Sequence, residues 1–141
     1  MHLGRNREDA LRRYASLVGV DAKEALAILH HLQKGYSAAR GRARAAGIEF
    51  LLSRDEYYAI VRRSSFKCEL TGIPFSLSWA GSTRRRPFVP SLDRRDSAKP
   101  YTVDNCRLVL CAVNYALNEW GETVLRKIAA ALVEDASVGA R

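Results

Sequence analysis

Residues 89–118 constrain this chain more than any other stretch. They read Val-Pro-Ser-Leu-Asp-Arg-Arg-Asp-Ser-Ala-Lys-Pro-Tyr-Thr-Val-Asp-Asn-Cys-Arg-Leu-Val-Leu-Cys-Ala-Val-Asn-Tyr-Ala-Leu-Asn. An apolar run, Pro87–Leu92, leads into a strand that ends in Asp93. A polar turn follows over Ser97–Tyr101, then a return strand over Asn105–Leu108. A helix carrying Asn114 is expected from about Val109 to Glu119, stopped at Gly121. Two short strands followed at once by a helix make the fold class α+β.

The rest of the chain is mostly helical by pattern. Leu11, Tyr14, Ala15 and Val18 recur at helical spacing over residues 8–18, and Gly19 closes that segment. Asp21 suits the N-cap of a second helix whose apolar stripe is Ala25, Leu26, Ile28, Leu29 and Leu32, ending near Gly35. A third helix is expected over Ser37–Ala46, with Gly47 just past its end. Residues 48–52 read as a short strand or extended link. Ser53-Arg54-Asp55-Glu56 fits a capping box, which starts a helix running to about Arg63. Phe66–Leu70 and Phe75–Trp79 read as short strands around the Thr71-Gly72 turn. Ala80–Arg86 is a basic loop. A last amphipathic helix runs from Glu122 to about Glu134, with Val124, Leu125, Ile128, Ala131 and Leu132 on its apolar face, and the tail beyond it should fray. The organisation expected is a helical arm over 1–62 and a chemistry-bearing module over 63–141.

Charge narrows the partners. The 141 residues carry a formal net charge of +8, which favours a polyanion. The cations cluster at Arg40, Arg42 and Arg44, at Arg84, Arg85 and Arg86, and at Arg94, Arg95 and Lys99. The planar guanidinium suits phosphate and base edges. No apolar run approaches the roughly 20 residues that span a bilayer. The first residues are charged and lack an apolar signal core, so a cytoplasmic location is expected. Three cysteines without a secretion signal do not suggest a disulfide framework.

Several residues in the module have two readings each. Asp93, at a strand end, suits a hard cation such as Mg²⁺ or Mn²⁺, or else bonds a turn amide or pairs with Arg95. Asn114 lies inside an apolar helix, where it is either a metal ligand or a core residue tying helix to strand. Asn118, one turn later, sits on the same face. Asn105 follows a turn and reads as a brace for the loop backbone. Asp96 reads as a cap on Ser97–Lys99. His30 and His31 fall in an early helix and read as surface and core contacts.

Three segments together resemble an HNH-like nuclease family of phages and mobile elements: Arg44-Ala-Ala-Gly-Ile-Glu-Phe50, Cys68-Glu-Leu-Thr-Gly-Ile-Pro-Phe75 and Pro90-Ser-Leu-Asp-Arg-Arg-Asp96. The resemblance runs from about Ala38 to Glu119. It implies a ββα-metal, treble-clef-like module with one Mg²⁺ or Mn²⁺ held by Asp93 and Asn114, and Asn105 bracing the loop. It implies hydrolysis of DNA, double-stranded by preference, in a bacterial host. The family often carries two Cys-x-x-Cys knuckles for zinc. Here their places are Cys68 with Thr71 and Cys111 with Asn114, so no structural zinc is expected. Pro100 stands where the family has Gly before Tyr101, and Arg94 stands where it places its catalytic His. A guanidinium cannot take a proton from water. The base is then Asp96, Tyr101 or Tyr115, or the metal acts unaided, with Arg94 clamping phosphate. The alternative is a silent scaffold that binds DNA, or a protein partner through the helical arm, as a regulator or inhibitor.

Overall fold

The computed structural model describes residues 9–13, 15–16, 18–78 and 86–138. The fold is mixed α+β, with a single two-stranded antiparallel sheet among the described residues. A helical turn over residues 9–13 and 15–16 comes first. Helices α1 (Ala22–Ala45) and α2 (Arg54–Ser64) follow. Strands β1 (Pro90–Arg94) and β2 (Cys106–Leu110) form the hairpin. Helices α3 (Cys111–Leu117) and α4 (Glu122–Val138) complete the chain.

Asp21 caps α1 as its side chain suggests, accepting from the Lys23 and Glu24 amides at 3.1 and 3.3 Å. The two helices expected across Gly35 are one helix of 24 residues. Each helical glycine costs only about 1 kcal/mol, and α1 holds two, Gly35 and Gly41. The stripe Ala25, Leu29, Leu32, Tyr36, Ala39 and Ala43 buries one continuous face and outweighs that cost. Gly47, at φ +69°, ends the helix as expected. The Ser53–Glu56 capping box forms in both directions, at 3.1 and 3.0 Å. It starts α2, which buries Tyr57, Ile60 and Val61. Tyr57 Oη donates to the Leu32 carbonyl and Tyr36 Oη to the Leu52 carbonyl, both at 2.8 Å, locking α1, α2 and the link between them.

The strands expected over 48–52 and 66–70 reduce to the isolated bridges Phe50↔Tyr101 and Lys67↔Pro74. Ser65 and Phe66 both take left-handed backbone, φ 55° and 59°, which turns the chain where a strand would have to run straight. Phe75–Ser78 is not strand, and Trp79 falls outside the described residues. The hairpin pairs Pro90↔Leu110, Leu92↔Leu108 and Asp93↔Arg107. That ladder carries β2 to Leu110, so α3 starts at Cys111 rather than Val109. Asn118, at φ 44°, stops it before Glu119. Every β2 residue is buried. Its outer edge is closed by Glu69, whose amide donates to the Leu108 carbonyl at 2.9 Å and whose carboxylate accepts from the Leu108 amide at 2.7 Å. Arg63 holds that carboxylate and donates to the Cys106 carbonyl at 2.9 Å.

One buried cluster joins Leu11, Ile28, Leu32, Tyr57, Ile60, Leu92, Leu108 and Leu110. The N-terminal helices therefore pack directly on the hairpin. Helix α4 runs to Val138, beyond the expected end near Glu134. Its apolar face is open to solvent, with Ile128 51% and Leu132 67% exposed. Among the described residues, no helix is long and apolar enough to cross a membrane.

Candidate functional site

The hairpin turn is held by Asn105, Arg94 and Asp96. Asn105 is almost wholly buried. Its amide donates to the Asp96 and Pro100 carbonyls at 3.0 and 2.9 Å, and its Oδ1 accepts from the Asp96 amide at 3.0 Å. It is the loop brace that its position suggests. Arg94 donates from Nη1 to the Ser97 and Lys99 carbonyls at 2.8 and 2.9 Å, and its guanidinium stacks 4.9 Å from the Tyr101 ring centre. Asp96 caps the turn through the Ala98 amide at 3.0 Å and lies 4.0 Å from Lys99 Nζ. Arg95 and Lys99 are exposed beside it. Asn105→Ala would strand the polar groups of this turn, so it is expected to lower unfolding stability by about 1–3 kcal/mol, read by urea denaturation.

Asp93 does not pair with Arg95. It pairs with Arg107, its ladder partner, through Oδ2 and Nε at 2.9 Å. Both side chains are more than nine-tenths buried. Arg107 also reaches Glu122 at 3.1 Å, and Glu122 in turn holds Arg126. A charged residue in a fully buried strand requires such partners. Burial pushes the Asp93 carboxyl above the usual range, opposed by the hydrogen bond and charge of Arg107. The two guanidinium bonds hold Glu122 below its usual range.

Asn114 ties α3 to β1. Its amide donates to Ser91 Oγ at 2.8 Å and to the Leu92 carbonyl at 3.3 Å. Asp93 belongs to β1 and Asn114 is tied to its neighbours Ser91 and Leu92, but the two open into different cavities. Asp93 lines a space of about 210 Å³ with Arg94, Asp96, Asn118 and Glu119. Asn118 is the C-cap of α3, and its Oδ1 accepts from the Glu119 amide. Asn114 lines a separate cleft of about 780 Å³ between α1, β1 and α3.

That cleft is the main feature absent from the sequence-based expectations. His31, Lys34, Ala38 and Arg42 follow one another at spacings of three and four along α1 and line its wall. Arg86, Ser91, Asn114 and Tyr115 face them. Arg42 and Arg86 belong to two basic clusters that are far apart in sequence. Among the described residues, three cations line the cleft, Lys34, Arg42 and Arg86, and no Asp or Glu does. His31 lies 3.3 Å from the Pro90 carbonyl. Burial holds it below the usual imidazole range; the carbonyl opposes this, while Arg86 and Lys34 add to it. Arg40 and Arg44 are exposed on α1 outside the cleft, and Arg84 and Arg85 lie outside the described residues.

Cys68 and Cys106 are buried thiols and Cys111 is half-buried. Among the described residues no three His, Cys, Asp or Glu side chains converge to hold a metal. Comparisons with protein families, with curated proteins and with solved structures found no match.

Proposed function

We propose that the chain is a DNA-binding module on an HNH-like hairpin-and-helix scaffold whose hydrolytic chemistry is silent. The observation that carries the reading is the cleft, which Lys34, Arg42 and Arg86 line with no acidic side chain beside them among the described residues. Its volume suits a nucleotide-sized group, and its charge suits phosphate. Taken one at a time, these cations would be solvated surface charges. Together they make a site for an anion. A partner of this kind is met in the cytoplasm.

The donors at the hairpin support silence there. A divalent ion there would need Asp93 and Asn114 to converge, and they open into different cavities. Arg107 already supplies the positive charge beside Asp93. Arg94 spends its donors on the turn backbone and offers no base. The competing reading, a Mg²⁺- or Mn²⁺-dependent endonuclease, is favoured by one detail. Asp93 Oδ1 accepts no hydrogen bond among the described residues and borders the smaller cavity.

Binding is tested by anisotropy of a labelled duplex in EDTA across a salt series. Neutralising three phosphates predicts a log–log slope of about −2.7. A flat salt dependence would remove the proposal. A module of this type needs no zinc and no membrane.

A further inference from the structure

The cleft is larger and more apolar than phosphate binding requires. Its volume, about 780 Å³, falls in the range of roughly 300–1,000 Å³ that holds a whole small molecule. Leu32, Val89, Pro90 and Leu92 line it and are themselves buried. The hydroxyl of Tyr57, another buried lining residue, is spent on the Leu32 carbonyl. The cations Lys34, Arg42 and Arg86 are exposed, so charge sits at the rim above an apolar floor. Between Lys34 and Arg42, the α1 wall offers Gly35 and Ala38, which have almost no side chain to fill the space. A phosphate gains nothing from an apolar floor. A nucleobase does, because it has a flat π-face as well as a polar edge.

Ser91 and Asn114 supply groups for such an edge. Asn114 gives its amide hydrogens to Ser91 Oγ at 2.8 Å and to the Leu92 carbonyl at 3.3 Å. A carbonyl only accepts, so that contact fixes which end of the amide is nitrogen. Among the described residues, Asn114 Oδ1 then accepts no hydrogen bond and the Ser91 hydroxyl donates none. An acceptor and a donor thus lie on two directly bonded side chains in one cleft. The Watson–Crick edge of every base carries a donor beside an acceptor. In intact duplex the partner base closes that edge and the stack covers the faces. Both open when a nucleotide is unpaired. Resting on the DNA-binding reading above, we infer that the cleft holds one unpaired nucleotide of a DNA strand. Its base lies against the apolar floor and its flanking phosphates meet the rim cations. The protein then prefers duplex carrying an unpaired nucleotide to intact duplex, which must first give up pairing and stacking to fill the cleft.

The test is competition anisotropy of the full chain in EDTA with three duplexes of one sequence: intact, with a single bulged nucleotide, and with an abasic residue in the bulge. The bulged duplex is expected to bind roughly tenfold tighter than the intact one or better, in line with the stacking of one base. The abasic bulge keeps the phosphate and the flexibility but lacks the base, so it should lose most of that gain. The ratio of bulged to intact affinity should change little with salt, because base contacts release no counterions, while both affinities fall. Ala38→Trp places a large side chain in the cleft from an exposed position of α1. It should erase the preference, with helicity by circular dichroism showing that the fold is kept. Equal affinity for intact and bulged duplex, each falling steeply with salt, would overturn the inference and leave the DNA-binding reading standing. An abasic bulge bound as tightly as the nucleotide bulge would also overturn it, since bending rather than the base would then be recognised. So would an Ala38→Trp variant that keeps both helicity and preference. Binding to none of the three duplexes would remove both readings.

Discussion

Arg107→Ala is expected to lower the stability of the native fold by about 3–5 kcal/mol, the usual cost of removing one partner of a buried ion pair. The loss arises because Asp93 would stay buried without its guanidinium. Glu122 would lose one of its two partners but remain in contact with solvent and with Arg126. Asp93→Asn should cost much less. Its amide oxygen can still accept from Arg107, whose charge keeps Glu122. The pH dependence has a definite sign. A raised carboxyl pKa means the native state binds that proton more tightly than the unfolded chain does. Stability from this group is therefore present in acid and lost as pH rises through the raised value. Removing Arg107 removes the opposing charge and raises that value further. The deficit of Arg107→Ala should then narrow as the solution is acidified from neutral pH toward the carboxylate range. Urea denaturation of both variants at several pH values reads this directly. A deficit that does not change with pH would contradict it.

Charge reversal in the cleft, Arg42→Glu with Arg86→Glu, is expected to weaken duplex binding by roughly a hundredfold at low salt. The salt slope should flatten by about 0.9 for each phosphate no longer neutralised. Both side chains are exposed, and neither forms an ion pair among the described residues, so the fold should be little affected. Reversal at Arg40 and Arg44, which lie outside the cleft, should have a smaller effect. His31 adds a second signature. In the free protein its burial and the cations Lys34 and Arg86 keep it neutral at neutral pH. A phosphate in the cleft would favour the imidazolium. Binding should therefore take up a proton, and affinity should rise as pH falls from neutral toward the imidazole range. Equal affinities for the reversed variant and wild type would place the DNA elsewhere on the chain.

What is legible in the sequence is whatever has a local cause. Asp21, the Ser53–Glu56 box and Gly47 each act within a turn of their own position, and each marks the boundary it suggests. The strand, turn, strand and helix of 89–118 follow in the expected order. Asn105 braces its loop because an asparagine side chain satisfies nearby backbone. Features that depend on distant partners are not legible in this way. Gly35 reads as a stop, but packing along α1 overrides one residue's propensity. Residues 66–70 read as extended, but the left-handed turn at Ser65 and Phe66 breaks them up. Arg107 carries a usable signal: it is the lone charge in Cys-Arg-Leu-Val-Leu, and a buried charge demands a partner. Its pairing with Asp93 depends on strand register, which residue types alone do not specify. The cleft is tertiary altogether, since helix packing brings Arg42 to Arg86.

Under the proposed function, Arg107 takes the charge role a metal would have at Asp93, leaving a module that binds DNA and does not cut it. Incubation of purified protein with supercoiled plasmid in Mg²⁺, Mn²⁺ and EDTA tests it most directly, with binding followed in the same samples by gel shift. Retarded plasmid is expected under all three conditions, including EDTA, with no nicked or linear product in any. Metal-dependent nicking by wild type, abolished by Asp93→Asn, would contradict it and establish the endonuclease instead.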